Sequence, residues 1–303
     1  MTNVTNEGRV DLDILRAVTA LGVQVGTNCD APSGRVDGDA VIAFALATND
    51  PNERYLRGEA VPPLYTSTFI LQANSDAQRE WVDADQIKGA RGSVHGAHDV
   101  HFCAPVRPGM AVRWDTTPYG VRQTPGGVQV TLRIVVSDLE GTPLVEHYWS
   151  GFHIGATLED DLGAVPPDHT FPPGARARRI GAQTVPVDLD QGFRYAGVSG
   201  DHIGHAIDDE AARREGFPSK ILQGLCTFGL CSGAVVNVGA NGDPDRLRRL
   251  AGRFSAPAFP RRDIVVDLYD AGRSADGGRV LAFEATQNGV TVIKHGRAEL
   301  LPD

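Results

Sequence analysis

The chain reads as two α+β halves in tandem, each an antiparallel sheet wrapped around a central helix. Three observations predict this. A motif recurs once, at half the length of the chain. A long apolar, glycine-bearing segment stands in the second half. Strand-like runs separated by turn residues follow it. The 303 residues are enough for one large domain or two of about 150. With 41% hydrophobic and 22% charged residues, the composition is that of an ordinary globular protein with a sizeable core.

The repeat is read first. Phe102-Cys103-Ala104-Pro105-Val106-Arg107-Pro108 and Phe254-Ser255-Ala256-Pro257-Ala258-Phe259-Pro260 both read F-x-A-P-x-x-P and both lead into a strand, at an offset of 152 residues. A second pair, from Phe44 to Asp50 and from Tyr195 to Asp201, recurs at an offset of 151. The expected organisation is a first half over 1–160, a linker over 161–183 and a second half over 184–303. Pro166, Pro167, Pro172 and Pro173 give that linker its character, since paired prolines fit neither a helix interior nor a central strand.

Within the halves, Asp39–Ala47 and Leu189–Ala196 read as short helices leading to a turn. Asp208–Glu215 reads as a polar helix closed by Gly216. Leu222–Val238 is too long for a strand and reads as a buried helix whose Gly224, Gly229 and Gly233 permit close packing, with tight wrapping by a sheet offsetting their helical cost. Strands are expected at Ala111–Tyr119, Val128–Asp138 and Thr142–Ile154, and again at Ile264–Tyr269, Val280–Thr286 and Val290–Leu300. A histidine-rich strand covers Val94–His101. Strict alternation there would put His95, Asp99 and His101 on one side and His98 on the other, a spacing that also permits a metal site.

Several function classes are excluded. The net charge is −9 and no long Lys/Arg block occurs, so no nucleic-acid partner is expected. The basic group Arg246, Arg248, Arg249 and Arg253 is either a solvated helix face or strand end, or an attractor for the phosphates of a carrier such as coenzyme A. No apolar run has the length of a membrane span, and the first residues lack the order of a signal peptide. Cys29, Cys103, Cys226 and Cys231 form no C-x-x-C, so neither a zinc site nor a disulfide framework is expected, and a cytoplasmic setting is the simple reading.

The segment that carries chemistry runs Tyr195-Ala196-Gly197-Val198-Ser199-Gly200-Asp201-His202-Ile203-Gly204-His205-Ala206-Ile207-Asp208 and continues through Gly216-Phe217 and Ile221 to Gln223-Gly224-Leu225-Cys226-Thr227. It resembles the MaoC-like, or hydratase 2, signature Y-x-x-x-S-G-D-x-N-P-x-H-x-D followed by G-F-x-x-x-I-x-H-G-L-C-T. The first half looks like that family's degenerate N-terminal unit, at Ala47-Thr48-Asn49-Asp50-Pro51-Asn52 and Val61-Pro62-Pro63. The resemblance implies a tandem (double) hot-dog fold and water addition or removal at a 2-enoyl thioester of coenzyme A or an acyl-carrier protein. An Asp and a His would act as acid and base, and a backbone N–H at a helix N-terminus would stabilise the thioester oxygen. No cofactor or metal is implied, and a monomer or a homodimer is compatible with two halves that complete each other.

Asp201 and Gly224 fall on the family's acid and oxyanion positions. Its Asn falls on Ile203, its Pro on Gly204 and its catalytic His on Ala206, while Gln223 replaces the His before Gly224. His205 could replace the absent imidazole, because in a helical turn it would share a face with Asp201. It could equally be a satisfied polar residue in an aliphatic position. Ser199, Gly200 and His202 would line the substrate, His202 from an exposed position. In the first half, Asp50, Asn52 and Tyr55 correspond to the family's Asp, Asn and His. Either Asp50 forms a relocated site with one of the histidines of Val94–His101, or the first half is a decayed copy whose cleft holds the acyl tail. The competing readings are a different lyase, isomerase or cyclase step on an acyl or polyketide-like substrate, and a non-catalytic subunit that binds acyl thioesters.

Overall fold

The structure, a computed structural model, describes residues 32–71 and 92–302. The N-terminal segment read for a signal sequence and Cys29 lie outside the described residues. The strands are β1 (Ser33–Arg35), β2 (Ser93–Phe102), β3 (Ala111–Thr124), β4 (Gly127–Asp138), β5 (Pro143–Ile154), β6 (Leu162–Gly163), β7 (Arg179–Val185), β8 (Leu247–Phe254), β9 (Ile264–Arg273), β10 (Arg279–Gln287) and β11 (Val290–Leu300). They form one antiparallel sheet in the order β1-β3-β4-β5-β2-β8-β11-β10-β9-β7, with β6 on the side of β3. This is the tandem hot-dog arrangement expected from the sequence. The strand readings in both halves hold to within a residue at each end, except that β3 runs on to Thr124 and β9 to Arg273.

The two halves join where β2 pairs β8. The register runs from Ala97↔Arg253 to His101↔Arg249 and places Asp99 opposite Ala251. Asp99 and Ala251 are 152 residues apart, the offset of the repeated motif, so the pair lies on the pseudo-twofold axis of the chain. Phe102 and Phe254 close the two strands that meet there. Arg249, grouped in the sequence with solvated or phosphate-facing cations, instead crosses this seam. Its guanidinium donates to both carboxylate oxygens of Asp99, at 3.0 and 2.6 Å, and reaches Glu299 at 3.1 Å, with only 11% of its side chain exposed.

β7 begins inside the stretch read as a linker and pairs β9, so residues 179–183 are part of the second half's sheet. Before it, the two proline pairs lie in irregular backbone, as their fixed φ requires.

The helices are α1 (Gly38–Ala47), α2 (Glu53–Leu56), α3 (Gln191–Ser199), α4 (Gly204–Ile207), α5 (Asp209–Arg214) and α6 (Gly224–Ala234). A π-helical turn at Val235–Gly239 continues α6. Asp37 caps α1, its carboxylate accepting from Ala40 N, and Asp208 caps α5, accepting from Glu210 N and Ala211 N. Every residue of α6 from Leu225 to Ala234 is buried, which is what an apolar helix without a polar face demands. Burial of Leu225, Phe228 and Leu230 contributes roughly 1.5–3 kcal/mol each.

The α6 glycines have a different cause from the one expected. The sheet does not account for Gly229 and Gly233; the first half does. A Cβ on Gly229 would lie 2.8 Å from Thr48 Cγ2, and one on Gly233 would lie 2.7 Å from Asp50 Oδ2. The turn that ends α1 therefore docks directly on the α6 backbone.

Two glycines accordingly respond in opposite ways. Gly233→Ala is expected to lower stability by about 1–3 kcal/mol, because the Asp50 carboxylate must shift. Gly197→Ala, in an exposed stretch of α3 with nothing within 4 Å, is expected to be neutral or stabilising by up to about 1 kcal/mol. Denaturant melts of both variants check this, and equal losses would refute the docking argument.

Candidate active site

The site is built from the end of α3, the α3–α4 loop and the start of α6. Gly200 ends α3 in the left-handed region, at φ +76°, and releases the chain into Asp201. Ser199 fixes that turn internally. Its hydroxyl donates to the Tyr195 carbonyl at 2.7 Å and accepts from Asp201 N at 3.1 Å. Fully buried and so engaged, Ser199 shapes the loop and presents no free hydroxyl to a substrate.

Asp201 leaves the loop with a half-buried carboxyl that accepts a long bond, 3.4 Å, from Ile203 N. Burial raises its pKa, against the lowering pull of Ile203 N, His205 and His202. A carboxyl so placed takes up and releases a proton more readily near neutral pH than an exposed one.

Gln223, which stands where the resembled family has histidine, joins this loop to the helix. Its Nε2 donates to the carbonyls of Gly192 and Asp201, both at 3.0 Å. Gly224 follows as the first residue of α6 and packs against the Phe254 ring, 3.4 Å from the place a Cβ would take. Thr227 N is the first amide of α6 to bond back into the helix, to the Gln223 carbonyl, so the amides before it form the positive end of α6.

His205 does not join Asp201. The expectation of a shared face required a helical turn through both residues, but α4 starts only at Gly204, with Ile203 as its N-cap. The His205 ring instead places Nδ1 2.6 Å from Glu215 Oε2 and packs on Phe217. Its backbone carbonyl accepts from Ile221 N, so His205 holds α4 to the end of α5. His202 is exposed. Ala206, the position of the family's histidine, is 2% exposed.

Asp50, Asn52 and Tyr55 gather elsewhere. Asp50 Oδ2 lies against Gly233, nine residues along α6 from Gly224, or about 13 Å along the axis. Asn52 is used twice: it caps α2 and donates to the Gly242 carbonyl at 2.8 Å. Tyr55 is fully buried. These three residues hold α1 and α2 against α6 and its π-turn, and they do not meet Asp201.

The histidine-rich strand also departs from strict alternation. A bulge at Gly96 shifts the register between His95 and Ala97 against β5. His95 therefore turns to the side of His98, its Nε2 3.2 Å from His98 Nδ1, while Asp99 and His101 pair on the other side at 3.2 Å. His98 Nε2 continues to His147 Nδ1 at 3.0 Å, and His147 Nε2 to Thr66 Oγ1 at 3.0 Å. Among the described residues, no group of three or more His, Cys, Asp or Glu is placed to hold a metal ion. His147 and Glu215 were not singled out in the sequence, since neither stands near a motif that points to its partner.

Among the described residues no helix is long and apolar enough to cross a membrane. The thiols of Cys103, Cys226 and Cys231 are free; burial pushes the Cys226 thiol well up and the Cys231 thiol up to about 12.

Comparison with known proteins shows what the chain is similar to. Residues 174–292 match the model of the MaoC like domain. The chain is 35% identical over 72 residues to a peroxisomal enoyl-CoA hydratase 2 of Arabidopsis thaliana, covering 24% of this chain and 23% of that protein. It is 27% identical over 179 residues to a probable enoyl-CoA hydratase 2 of Dictyostelium discoideum, covering 55% and 58%. The matches thus span less than two thirds of either relative. The fold is similar to that of a MaoC-like dehydratase from Phytophthora capsici, with a TM-score of 0.78 at 20% identity over 97% of this chain and 100% of that one.

Asp50 titrates in a way that can be tested. Burial lifts its carboxyl from 3.8 to about 6, against the lowering bond from Asn52 N. The folded chain thus holds this proton more tightly than the unfolded chain. The associated stability is complete below about pH 4 and lost as pH rises through 6. Asp50→Asn is expected to be more stable than wild type by about 2 kcal/mol at pH 7 and to lose that advantage at pH 4. Thermal melts at the two pH values check it, and an unchanged difference would refute the assignment. With its motif at the junction of α3, the following loop and α6, the second half of this chain matches the MaoC like domain over residues 174–292, within a double hot-dog fold.

Proposed function

We propose that this protein adds water to a 2-enoyl thioester, or removes it from the corresponding 3-hydroxyacyl thioester, carried by coenzyme A or an acyl-carrier protein. The observation that carries the reading is the junction just described. Asp201, whose carboxyl has a raised pKa, is held through its backbone carbonyl by the side chain of Gln223, the residue preceding Gly224 at the start of a buried helix. Enoyl thioester hydration needs both parts. A proton must move at the β-hydroxyl while negative charge grows on the thioester oxygen. In the dehydration direction, Asp201 protonates the leaving hydroxyl and the Gly224 N–H receives the enolate oxygen. The hydratases found among the relatives support the reaction class.

His205 enters the proposal as a positioning residue. Its bond to Glu215 keeps the α3–α4 loop in place, and its ring makes no bond to Asp201. Ala206 favours a second reading, in which the same cleft carries out a different lyase, isomerase or cyclase step, since the family's imidazole is missing there.

The test is loss of the conjugated absorbance of trans-2-enoyl-CoA thioesters of graded chain length. Wild type is expected to consume at least one of them. Asp201→Asn should lower kcat by about 10²-fold or more with folding retained. His205→Gln should remain within about tenfold of wild type, because an amide can still bond Glu215. Turnover unchanged in Asp201→Asn would overturn the proposal.

A further inference from the structure

His95, His98, His147 and Thr66 form a continuous hydrogen-bonded chain, with links of 3.2, 3.0 and 3.0 Å. His98, His147 and Thr66 are at most 2% exposed, and His95 is partly exposed. The chain has two ends, and both are informative. At one end the His95 ring lies 4.6 Å from the ring of Phe254, the residue that Gly224 packs against. At the other end Thr66 lines a cavity with Phe102, Arg107, Val145, Leu247 and Arg248. Phe102 and Phe254 are counterparts in the repeat, so the chain runs from the Phe254 side of the seam, beside Gly224, to a cavity on the Phe102 side that residues of both halves line.

The direction of the chain is set by one carbonyl. His95 Nε2 also lies 3.1 Å from the Ala97 carbonyl oxygen, which only accepts. His95 must therefore carry its proton on Nε2, where the Ala97 carbonyl and His98 Nδ1 share it. His98 is then an acceptor at Nδ1 and a donor from Nε2 to His147 Nδ1. His147 in turn donates from Nε2 to Thr66 Oγ1. All three imidazoles are thus neutral Nε2–H tautomers aligned the same way, and His95 Nδ1 is left as a base at the end beside Phe254. Burial agrees with neutrality: it lowers the pKa of all three rings, that of His98 to about 4.

We propose that His95 is the base that the Ala206 site lacks, and that His98, His147 and Thr66 relay its proton to the cavity beside Phe102. The inference rests on the dehydratase reading above and names the second proton group of that site. In the dehydration direction, His95 Nδ1 takes the proton on C2 of the 3-hydroxyacyl thioester. The electrons of that C–H bond form the C2–C3 double bond, and the C3–O bond breaks as Asp201 gives its proton to the departing hydroxyl, which leaves as water. His95 passes its Nε2 proton to His98 Nδ1, His98 passes its own to His147, and His147 passes its own to Thr66 Oγ1. The Thr66 hydroxyl releases a proton to water in the cavity. One proton enters the relay and one leaves it; reorientation of the three rings returns them to Nε2–H tautomers before the next turnover, and solvent reprotonates Asp201. Hydration runs the same steps backwards.

Two measurements test this. The first compares kcat and KM on a consumed enoyl-CoA for wild type, Asp201→Asn, His95→Gln and Thr66→Val. The relay predicts a fall in kcat of about 10²-fold in His95→Gln and about tenfold in Thr66→Val, with KM nearly unchanged in both. Loss in Asp201→Asn with wild-type kcat in His95→Gln would leave the dehydratase reading standing and overturn the relay. The second measurement needs no turnover and also covers a variant that folds poorly. Imidazole nitrogen NMR of the wild-type protein at pH 7 should show His98 and His147 neutral, with the proton on Nε2. If no thioester is consumed, the dehydratase reading falls and the base role of His95 falls with it. A charged ring, or a proton on Nδ1 of His98 or His147, overturns the relay whatever the activity.

Discussion

The pairing of β2 with β8 is the constraint on which the rest of the molecule depends. Each half of the chain has a sheet with an edge that would otherwise expose unpaired backbone groups. Joining the two edges removes both and fixes the symmetry, because Asp99 can meet its repeat counterpart Ala251 at only one register. The seam is further locked by Arg249, whose bonds to Asp99 link the two strands. Burial alone would raise the Asp99 carboxyl, but hydrogen bonds from His101 and Arg249 outweigh it and hold its pKa below the ordinary value. Removing either partner of so buried a pair costs about 3–5 kcal/mol, because the other charge is stranded. The ion pair therefore guards the register more than it adds to stability.

Once the seam is fixed, the two copies cannot do the same work. The turn after α1 and the turn after α3 are counterparts in the repeat, but only the first is driven onto the middle of α6. There Asp50 abuts Gly233 and loses its solvent. The turn after α3 stays at the α6 N-terminus, where Asp201 keeps partial exposure and the amides of a helix start lie nearby. The same carboxylate in the same local motif thus becomes a docking element in one half and a half-buried group beside a helix start in the other. The difference comes from position along one helix, which distinguishes fold from site.

The fold was legible in the sequence because its signals are local and repeated. The F-x-A-P-x-x-P pair predicted the duplication, and the apolar run from Leu222 predicted a helix with no exposed face. The strand runs were legible from turn residues that bound them. Three features were not, each for a physical reason. The strand Leu247–Phe254 carries four arginines counting Arg246 just before it, and a charge-rich strand does not declare itself until its partner is known. The bulge at Gly96 reverses the side of His95, and one glycine in a strand does not say whether it bends the chain or merely fits; here a Cβ would meet Phe152 Cβ at 3.1 Å. The partner of His205 is Glu215, ten residues on, and it faces that ring only because α4 and α5 fold back on each other.

The missing imidazole follows from the packing of the loop. Gly192, at the start of α3, approaches the Ala206 carbonyl so closely that a Cβ there would sit 2.6 Å from the oxygen. Gln223 bonds to Gly192 and to Asp201 across the same gap. Three segments are thereby drawn together at the place where the resembled family keeps a histidine, and the methyl of Ala206 is already buried. An imidazole at 206 would need a ring's volume in a close-packed interior, where even one added methylene is costly. Restoring histidine at 206 alone would therefore force the loop off Gln223 before it completed an acid–base pair. The replacements at 206 and 223 belong to one repacking, in which an amide staple holds the Asp201 backbone in place.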